Sequence, residues 1–352
     1  MMFETDTDGI HQEAATGALP GWERVEQLVQ AAHDRYRDTD DGTVADYIPA
    51  LAEADPDWFG ICVADTAGGL HDVGDAAVPF SIQSISKAFV YALVCEEFGH
   101  ERIGELVGVD NTGLPFNSVI ALELNGGHPM NPMVNAGAIA STALMAGDTA
   151  AEKWRAVHDG LSRFAGRELA VDERVYTSES ETNSRNQAIA RLLQSYGRLD
   201  ADPGEIVDVY TRQCSLLVTA HDLAVMGATL ADGGVNPVTG DRVVSADVSR
   251  DTLAVLAANG LYERSGEWLF QIGLPAKSGV SGGIVSIAPG KGAIGTFSPP
   301  LDAAGNSVRG ERATAYLSKT LGLNLFASPE PGPSGPGSTA RTSTALDARS
   351  TR

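Results

Sequence analysis

The chain has 352 residues, of which 43% are hydrophobic, and its 25 Lys and Arg residues against 46 Asp and Glu residues give a formal net charge of −21. The hydrophobic fraction suffices for one large core or two modest ones, which excludes wholesale disorder. The acidic balance excludes electrostatic capture of nucleic acid or of an anionic membrane as the main role, because both need clustered cations.

Residues 1–19 are predicted to be a flexible N-terminus. They have neither the basic start nor the apolar run of a signal peptide. No stretch of eighteen apolar residues occurs anywhere in the sequence, so no transmembrane helix is expected. The sequence therefore predicts a cytoplasmic location.

The predicted folded part, residues 20–326, starts with a helix and a hairpin. Residues 22–36, WERVEQLVQAAHDRY, repeat apolar side chains at helical spacing. Residues 55–75 then have extended, β-rich character, and Gly68-Gly69 in their middle indicates the turn of a hairpin.

Residues 81–261 are predicted to be mainly helical, with Gly-Gly and Asn-Pro loops between the helices. Strands are predicted again after this segment, followed by a closing helix; the sequences are EWLFQIG (267–273), GGIVSIAP (282–289) and KGAIGTFSPP (291–300), then GERATAYLSKTLGLNLF (310–326). Residues 327–352, rich in Pro, Gly, Ser and Thr, are predicted to be a disordered tail.

Strands at both ends and helices in the middle predict an α+β fold of the α/β-sandwich type. Its antiparallel sheet would be built from both ends of the chain, around an inserted and mainly α-helical part. The sheet part is expected at about 20–80 and 262–326, and the helical part at about 81–261.

No cofactor signature is present in the sequence. Neither GxGxxG nor GxxxxGK[ST] occurs, and the seven histidines form no HxH or HExxH pattern and lie near no cysteine pair. We therefore expect no cofactor and no metal. Cys62, Cys95 and Cys214 lie in apolar stretches and are expected to be buried free thiols.

The most informative segment is VPFSIQSISKAFVYALV, residues 78–94, which places Ser84 three residues before Lys87 in the first turn of a predicted helix. Residues i and i+3 share a helix face, so hydroxyl and amine can meet. A desolvated lysine can act as base for a serine nucleophile, and the helix N-terminus favours a developing anion. The spacing alone also fits an N-cap serine with a solvated lysine.

A second lysine strengthens the catalytic interpretation. Lys277 stands in LPAKSGVSGG, just before a predicted strand, and Lys-Ser-Gly is similar to the Lys-[ST]-Gly of active-site serine acyltransferases. The chain order also fits, with S-x-x-K early and Lys-Ser-Gly late.

The chain resembles a known family, the serine-dependent glutaminases, which are relatives of the β-lactamases and penicillin-binding proteins. The resemblance runs from about Tyr47 to Arg309 through eight blocks: DYIPAL, PFSIQSISK, NPMVNAGAI, ESETNSRNQAIA, DVYTRQCS, ATLADGGVNPVTG, GLPAKSGVSGGI and FSPPLDAAGNSVRG. It implies a β-lactamase-like fold, a homo-oligomer, and hydrolysis of L-glutamine to L-glutamate and ammonia without metal or organic cofactor.

The resemblance also implies roles for individual residues. Ser84 is similar to the acylated nucleophile and Lys87 to its base, while the backbone N–H groups of Ser84 and Val280 would form the oxyanion hole. Either Tyr262 or Tyr210 would relay a proton to the leaving amine, and the sequence does not choose between them. The implied substrate-binding set is Tyr47, Ser84, Asn135, Glu179, Asn186, Tyr210, Tyr262 and Val280.

Physical chemistry supports these roles, because glutamine is a zwitterion and needs complementary groups at both charges. Glu179 can pair with the α-ammonium group, and amide and phenol donors can bind the α-carboxylate if lysines or dipoles supply positive potential. Lys277 is expected to maintain the electrostatics and the strand geometry of the site rather than to transfer protons.

Two alternatives remain at this stage. A β-lactamase or a peptidase of the penicillin-binding type would share S-x-x-K and Lys-Ser-Gly, but the sequence has no Ser-Asp-Asn triplet and such substrates lie outside the cytoplasm. A catalytically silent amino-acid sensor with the same pocket belongs to a different class, although an intact Ser84 and Lys87 favour chemistry.

The acidic excess belongs mainly to the predicted folded part. Residues 1–19 carry four carboxylates without Lys or Arg, and residues 327–352 have one net positive charge, which leaves −18 for residues 20–326. Repulsion between surface carboxylates is screened by salt, so we expect tolerance of molar NaCl. A composition bias without selection for salt is the competing interpretation.

Overall fold

The computed structural model describes residues 6, 9–11 and 17–328. Most of the predicted flexible N-terminus, and the predicted disordered tail from residue 329 onward, lie outside the described residues.

Five strands form one antiparallel sheet to which both ends of the described chain contribute, and two short strands pair separately. Their bounds are β1 Gly60–Asp65, β2 Leu70–Gly74, β3 Phe80–Ser81, β4 Leu217–Val218, β5 Ala276–Ser278, β6 Gly283–Ala288 and β7 Gly292–Phe297. The main sheet has the order β2-β1-β7-β6-β5, and β3 pairs with β4. The antiparallel sheet is thus confirmed, as is the hairpin at Gly68-Gly69, which joins β1 to β2.

The helices follow the predicted distribution, with a long helical segment between β3 and β5. Their bounds are α1 Trp22–Tyr36, α2 Ser86–Phe98, α3 His100–Gly104, α4 Val119–Leu124, α5 Asn135–Ala143, α6 Ala150–Ala165, α7 Glu173–Thr182, α8 Ser184–Ser195, α9 Pro203–Cys214, α10 Ala220–Ala231, α11 Ala246–Asn259, α12 Ser265–Gln271 and α13 Val308–Thr320. Within the described ranges, no helix combines the length and the apolar character needed to cross a bilayer.

The sheet lies between two layers of helices, each with its own hydrophobic core. Helices α1 and α13 cover one face, where Val29 and Leu317 pack with Ile61 and Ile294 of the sheet. Helix α10 covers the other face and joins the sheet to the helical part. The sandwich follows from the sequence, because α1 and α13 are amphipathic whereas α10 is apolar all round.

Two glycines let α10 lie unusually close to the sheet. A Cβ atom at Gly295 of β7 would overlap the Ala220 carbonyl, and one at Gly227 of α10 would lie 2.6 Å from the Cβ of Ala293. Any larger residue at either position would push the helix away from the sheet.

The prediction of a strand at EWLFQIG was wrong, because these residues form α12 and the turn after it. Trp268 and Ile272 are four residues apart and both fully buried, whereas Phe270 is 77% exposed. The indole Nε1 of Trp268 donates to the Leu274 carbonyl oxygen at 2.9 Å. The apolar positions therefore follow helical spacing, and β5 begins only at Ala276.

The prediction for the cysteines is confirmed. Cys62, Cys95 and Cys214 are buried and free. Burial raises the pKa of all three thiols, which keeps them protonated.

Candidate active site

A cavity of about 370 Å³ lies where the helical part meets the turn between β5 and β6. Most of the residues predicted for the site line it. They are Tyr47, Ser84, Asn135, Glu179, Asn186, Tyr210 and Val280. The predicted catalytic residues Lys87 and Tyr262 are buried and contact lining residues from below.

Ser84 lies in a 3₁₀ turn, Gln83–Ile85, immediately before α2 begins at Ser86. The predicted helix therefore starts two residues later than expected, with Ser84 just outside its first turn. Within the described chain, the backbone N–H of Ser84 donates to no other residue. That N–H group is available to an oxyanion above the serine.

The backbone at Gln83 is held in a sparsely populated conformation. Its φ angle is +50°, a left-handed value that is uncommon for a residue other than Gly, Asn or Asp. Buried hydrogen bonds stabilise this turn: Ser86 Oγ donates to the Gln83 carbonyl at 2.7 Å, and Gln213 Nε2 donates to Ser86 Oγ at 3.0 Å. Strain of this kind, about 1–3 kcal/mol, persists only where the surroundings enforce it, and it orients the next residue, Ser84.

The turn after β5 supplies the other predicted oxyanion donor. Gly279 N donates to the Gly283 carbonyl, Gly282 N donates to the Gly279 carbonyl, and Ser281 Oγ donates to the Ser81 carbonyl at 2.6 Å. The Val280 N–H donates to no residue of the described chain and lies in the cavity wall. The turn is therefore fixed while this donor stays available.

Lys87 lies beneath the cavity and is 1% exposed. Its Nζ donates to Asn135 Oδ1 at 2.7 Å and to the Met133 carbonyl at 3.2 Å, and not to Ser84. Burial lowers the pKa of Lys87 to about 8, although the carboxylate of Glu179 opposes this shift. A substantial neutral fraction near neutral pH is what a general base requires.

Tyr262 connects the serine to the second lysine. Its hydroxyl lies next to Ser84 and 3.5 Å from the Ser278 carbonyl oxygen. Its φ angle is +58°, a second left-handed value at the site. Burial raises the pKa of the Tyr262 phenol, so the hydroxyl stays protonated and can donate.

Lys277 lies within β5 rather than before it, and is fully buried. Its Nζ lies 3.9 Å from the centre of the Tyr262 ring and donates to the Ser278 carbonyl at 2.9 Å. Burial, and then the charge of Lys87, lower the pKa of Lys277 well below its usual value. Lys277 is therefore a largely neutral amine that packs against the Tyr262 ring. In this form it supplies little positive potential to the site.

Glu179 is the acidic residue of the cavity. It belongs to α7, is 8% exposed, and accepts a hydrogen bond from Gln83 Nε2 at 3.3 Å. Burial raises the pKa of Glu179 to about 7, while the bond from Gln83 and the charge of Lys87 limit the rise. A bound ammonium group would restore the ionised form.

Asn135 and Asn186 form a relay between the buried lysine and the cavity. Asn135 is the first residue of α5, and its Nδ2 donates to Asn186 Oδ1 at 2.9 Å while its Oδ1 accepts from Lys87. The amide group of Asn186 therefore retains its own Nδ2 donor for a ligand carboxylate.

The remaining predicted tyrosines occupy different depths. Tyr210 lies in α9, is 2% exposed, and is hydrogen-bonded to Cys214 rather than to Ser84. Tyr47 is 56% exposed although it lines the cavity. The geometry thus favours Tyr262 over Tyr210 for proton transfer and leaves Tyr47 at the mouth.

Several lining residues were not identified from the sequence. Arg185, on the exposed rim, is the only Lys or Arg among the described lining residues, and its NH1 lies 3.4 Å from the Asn117 carbonyl. Phe116 packs on Tyr262 with ring centres 4.7 Å apart. Arg185 lies in the ESETNSRN block, which also contains the predicted site residues Glu179 and Asn186, so its charge could have indicated a role at the site. No sequence feature indicated Phe116.

The chain is similar to known proteins along most of its length. The glutaminase family model matches residues 42–326. A glutaminase from Yersinia pestis, Glutaminase 2, is 52% identical over 328 residues, covering 93% of this chain and 96% of the relative.

Solved structures give the same result. A probable glutaminase, ybaS, has a TM-score of 0.85 and 45% identity, over 86% of this chain and 98% of the other. Mglu in its glutamate form has a TM-score of 0.81 and 41% identity, over 88% of this chain and 71% of the other. This agreement supports the predicted β-lactamase-like fold.

Proposed function

Because the chain belongs to the glutaminase family and hydrolyses L-glutamine to L-glutamate, we propose that the reaction proceeds through a γ-glutamyl ester of Ser84. One observation carries this proposal: Ser84 lies in the cavity wall, with the Tyr262 hydroxyl next to it and the buried Lys87 beneath.

In the first step, Ser84 Oγ attacks the side-chain amide carbon and Lys87 accepts the hydroxyl proton. The carbonyl oxygen becomes an oxyanion that the Ser84 and Val280 N–H groups stabilise. The C–N bond then breaks and ammonia leaves with a proton donated by the Tyr262 hydroxyl, which recovers a proton from Lys87.

In the second step, water attacks the ester carbon. Lys87, neutral again, accepts a proton from this water through Tyr262. The ester C–O bond then breaks, Ser84 Oγ takes this proton back from Lys87, and L-glutamate is released. The same groups therefore serve both halves of the reaction, and no metal or organic cofactor is part of this proposal.

Recognition of the substrate uses the opposite end of the cavity. Glu179 pairs with the α-ammonium group, and Asn186 Nδ2, with Tyr47 and Arg185 at the mouth, binds the α-carboxylate. Mglu is known in a glutamate form, and we propose that L-glutamate, the product, occupies the same groups here.

The ester can be tested by adding hydroxylamine during turnover of L-glutamine and of its γ-methylamide. A shared acyl-enzyme must partition between glutamate and γ-glutamyl hydroxamate in one ratio for both substrates, since the leaving group has already gone. Two different ratios would show direct attack by water and would contradict the proposal.

A cytoplasmic location and a homo-oligomeric assembly with no nucleic-acid or membrane partner stay predictions from the sequence. A β-lactamase-like hydrolase and an amino-acid sensor are the competing functions. Ammonia release from L-glutamine, with none after Ser84→Ala, separates the proposal from both.

A further inference from the structure

Three potential metal ligands from distant parts of the sequence meet at the edge of the main sheet. Cys62 of β1 and Asp72 of β2 are directly opposite partners in the hairpin, so their side chains project from the same face. His221 is the second residue of α10, which covers that face. None of the three lines the candidate active site.

The three side chains are already in contact through the carboxylate. His221 Nδ1 lies 2.8 Å from Asp72 Oδ2, and the Cys62 thiol lies close to the Asp72 carboxylate. One ligand atom from each residue lies within 4.8 Å of the other two. Tetrahedral Zn²⁺ holds N, O and S ligands at about 2.0–2.3 Å, which separates the ligand atoms by about 3.3–3.8 Å. Small side-chain rotations would bring the three ligand atoms to these separations and so place all three on one ion.

The ligand types and their exposure favour a particular class of ion. A thiolate, an imidazole and a carboxylate suit a borderline divalent transition metal, whereas Mg²⁺ and Ca²⁺ prefer oxygen ligands alone. The side chains of Asp72 and His221 are 45% and 38% exposed, so an ion can approach from solvent. Cys62 is fully buried and would close the inner side of the ion.

We propose that Cys62, Asp72 and His221 form a binding site for a divalent transition metal such as Zn²⁺, with water as the fourth ligand. The Cys62 thiol releases its proton to solvent when the ion binds, because the thiolate is the ligand. The site is separate from the proposed hydrolytic chemistry and does not depend on it. Its effect follows from the topology: within the part of the chain that the structure describes, β2 lies at the edge of the sheet with β1 as its strand neighbour. His221 already bonds to Asp72 directly, so the ion would replace this single contact with bonds that join β1, β2 and α10, and would stabilise the fold.

The test uses the untagged full chain, stripped with a chelator and titrated with Co²⁺, because a thiolate ligand gives a charge-transfer absorption that oxygen and nitrogen ligands lack. We expect this absorption to saturate at one Co²⁺ per chain and to disappear when Zn²⁺ is added. Cys62→Ser should abolish it, whereas Cys95→Ser, a matched change at another buried thiol, should preserve it. Co²⁺ binding without the absorption, or an absorption unchanged by Cys62→Ser, would overturn the proposal.

Thermal unfolding gives a second measurement on accessible ligands, in case Cys62→Ser does not fold. With Zn²⁺ at 100 times its Kd, the Tm of the wild-type chain and of Cys95→Ser should rise by about 5 °C. His221→Gln should weaken binding about tenfold or more and should reduce this rise to about half or less at the same Zn²⁺ concentration. Glutaminase activity should survive in His221→Gln and shows that the variant is folded. An equal rise in Tm for His221→Gln and wild type would show binding elsewhere and would contradict the site.

Discussion

The inner and outer ends of the candidate active site use different physical chemistry. At the inner end, Lys87, Lys277 and Tyr262 are almost completely buried. Burial lowers the pKa of both lysines and raises the pKa of the tyrosine, so each group favours its neutral form. At the outer end, Tyr47 is 56% exposed and Arg185 lies on the rim. In the proposed mechanism, burial therefore sets the pKa values of the reacting groups. Charged and solvent-exposed side chains at the outer end bind the substrate. Glu179 lies between the two ends, because it is buried like the reacting groups and yet lines the cavity as an acidic side chain.

The largest expected effect concerns the inner end. Ser84→Ala removes the nucleophile and should reduce kcat for ammonia release by several orders of magnitude without unfolding the protein. Ser249→Ala is a matched control, because Ser249 is buried in α11 and its hydroxyl has no hydrogen-bond partner among the described residues. Comparable losses in the two variants would indicate a structural effect rather than a lost nucleophile.

Lys87→Ala should be nearly as severe, since Ser84 and Lys87 act as one unit. The double variant should be little worse than either single variant, because removing a second member of a joint device removes nothing further. Measured losses that multiply in the double variant would show that the two residues act independently and would break the assignment of Lys87 as the base.

The outer end should respond mainly in substrate selection. Glu179→Gln leaves the α-ammonium group of the substrate without its anionic partner and should lower kcat/KM by about 100-fold or more. Glu181→Gln, an exposed change on the same helix, should have little effect. If des-amino glutamine is hydrolysed by the wild-type chain as efficiently as L-glutamine, the role of Glu179 is wrong.

The pH dependence separates the two ends. The proposed mechanism requires neutral Lys87, with a pKa of about 8, and ionised Glu179, with a pKa of about 7, so both groups must lose a proton. We expect kcat/KM to rise with pH from about 6 to 9 and to follow both titrations. Bound substrate holds Glu179 ionised, so kcat should retain only the rise near pH 8. A kcat that is flat between pH 6 and 9 would contradict the proposed role of Lys87.

The smallest expected effect is that of salt, which reaches the surface and not the inner end. The charge of −18 on residues 20–326 should make Tm rise between about 0.1 M and 1–2 M NaCl, as the Debye length falls from about 10 Å to about 3 Å. The pH dependence of kcat should stay unchanged, because buried groups are screened much less. A falling Tm with loss of activity would leave composition bias as the explanation of the acidity.

Sequence reasoning succeeded where local signals and tertiary packing agree. Helix α1 covers the same residues as predicted, and Gly68-Gly69 marked the β1–β2 turn. It failed at EWLFQIG, where an apolar run of this length fits a strand as well as a short helix and only burial of Trp268 decides. The family blocks brought most of the cavity residues together, because their order constrains them jointly.

Some features of the active site, and the cluster of Cys62, Asp72 and His221 outside it, could not be predicted from the sequence. The left-handed backbone at Gln83 and Tyr262 is not marked by glycine or asparagine, since tertiary hydrogen bonds and packing enforce it. Cys62, Asp72 and His221 form no recognisable ligand spacing, because a hairpin and a helix from different parts of the chain bring them together. Spacing rules detect ligands on one element and miss those that the fold assembles.

The central claim, a γ-glutamyl ester on Ser84, is tested most directly by mass spectrometry of the enzyme quenched with acid during turnover of L-glutamine. The account predicts a mass increase of one γ-glutamyl group, located in the peptide that contains Ser84 and absent from Ser84→Ala. An adduct on another residue, or a Ser84→Ala enzyme that keeps more than about a tenth of the wild-type rate, would contradict it.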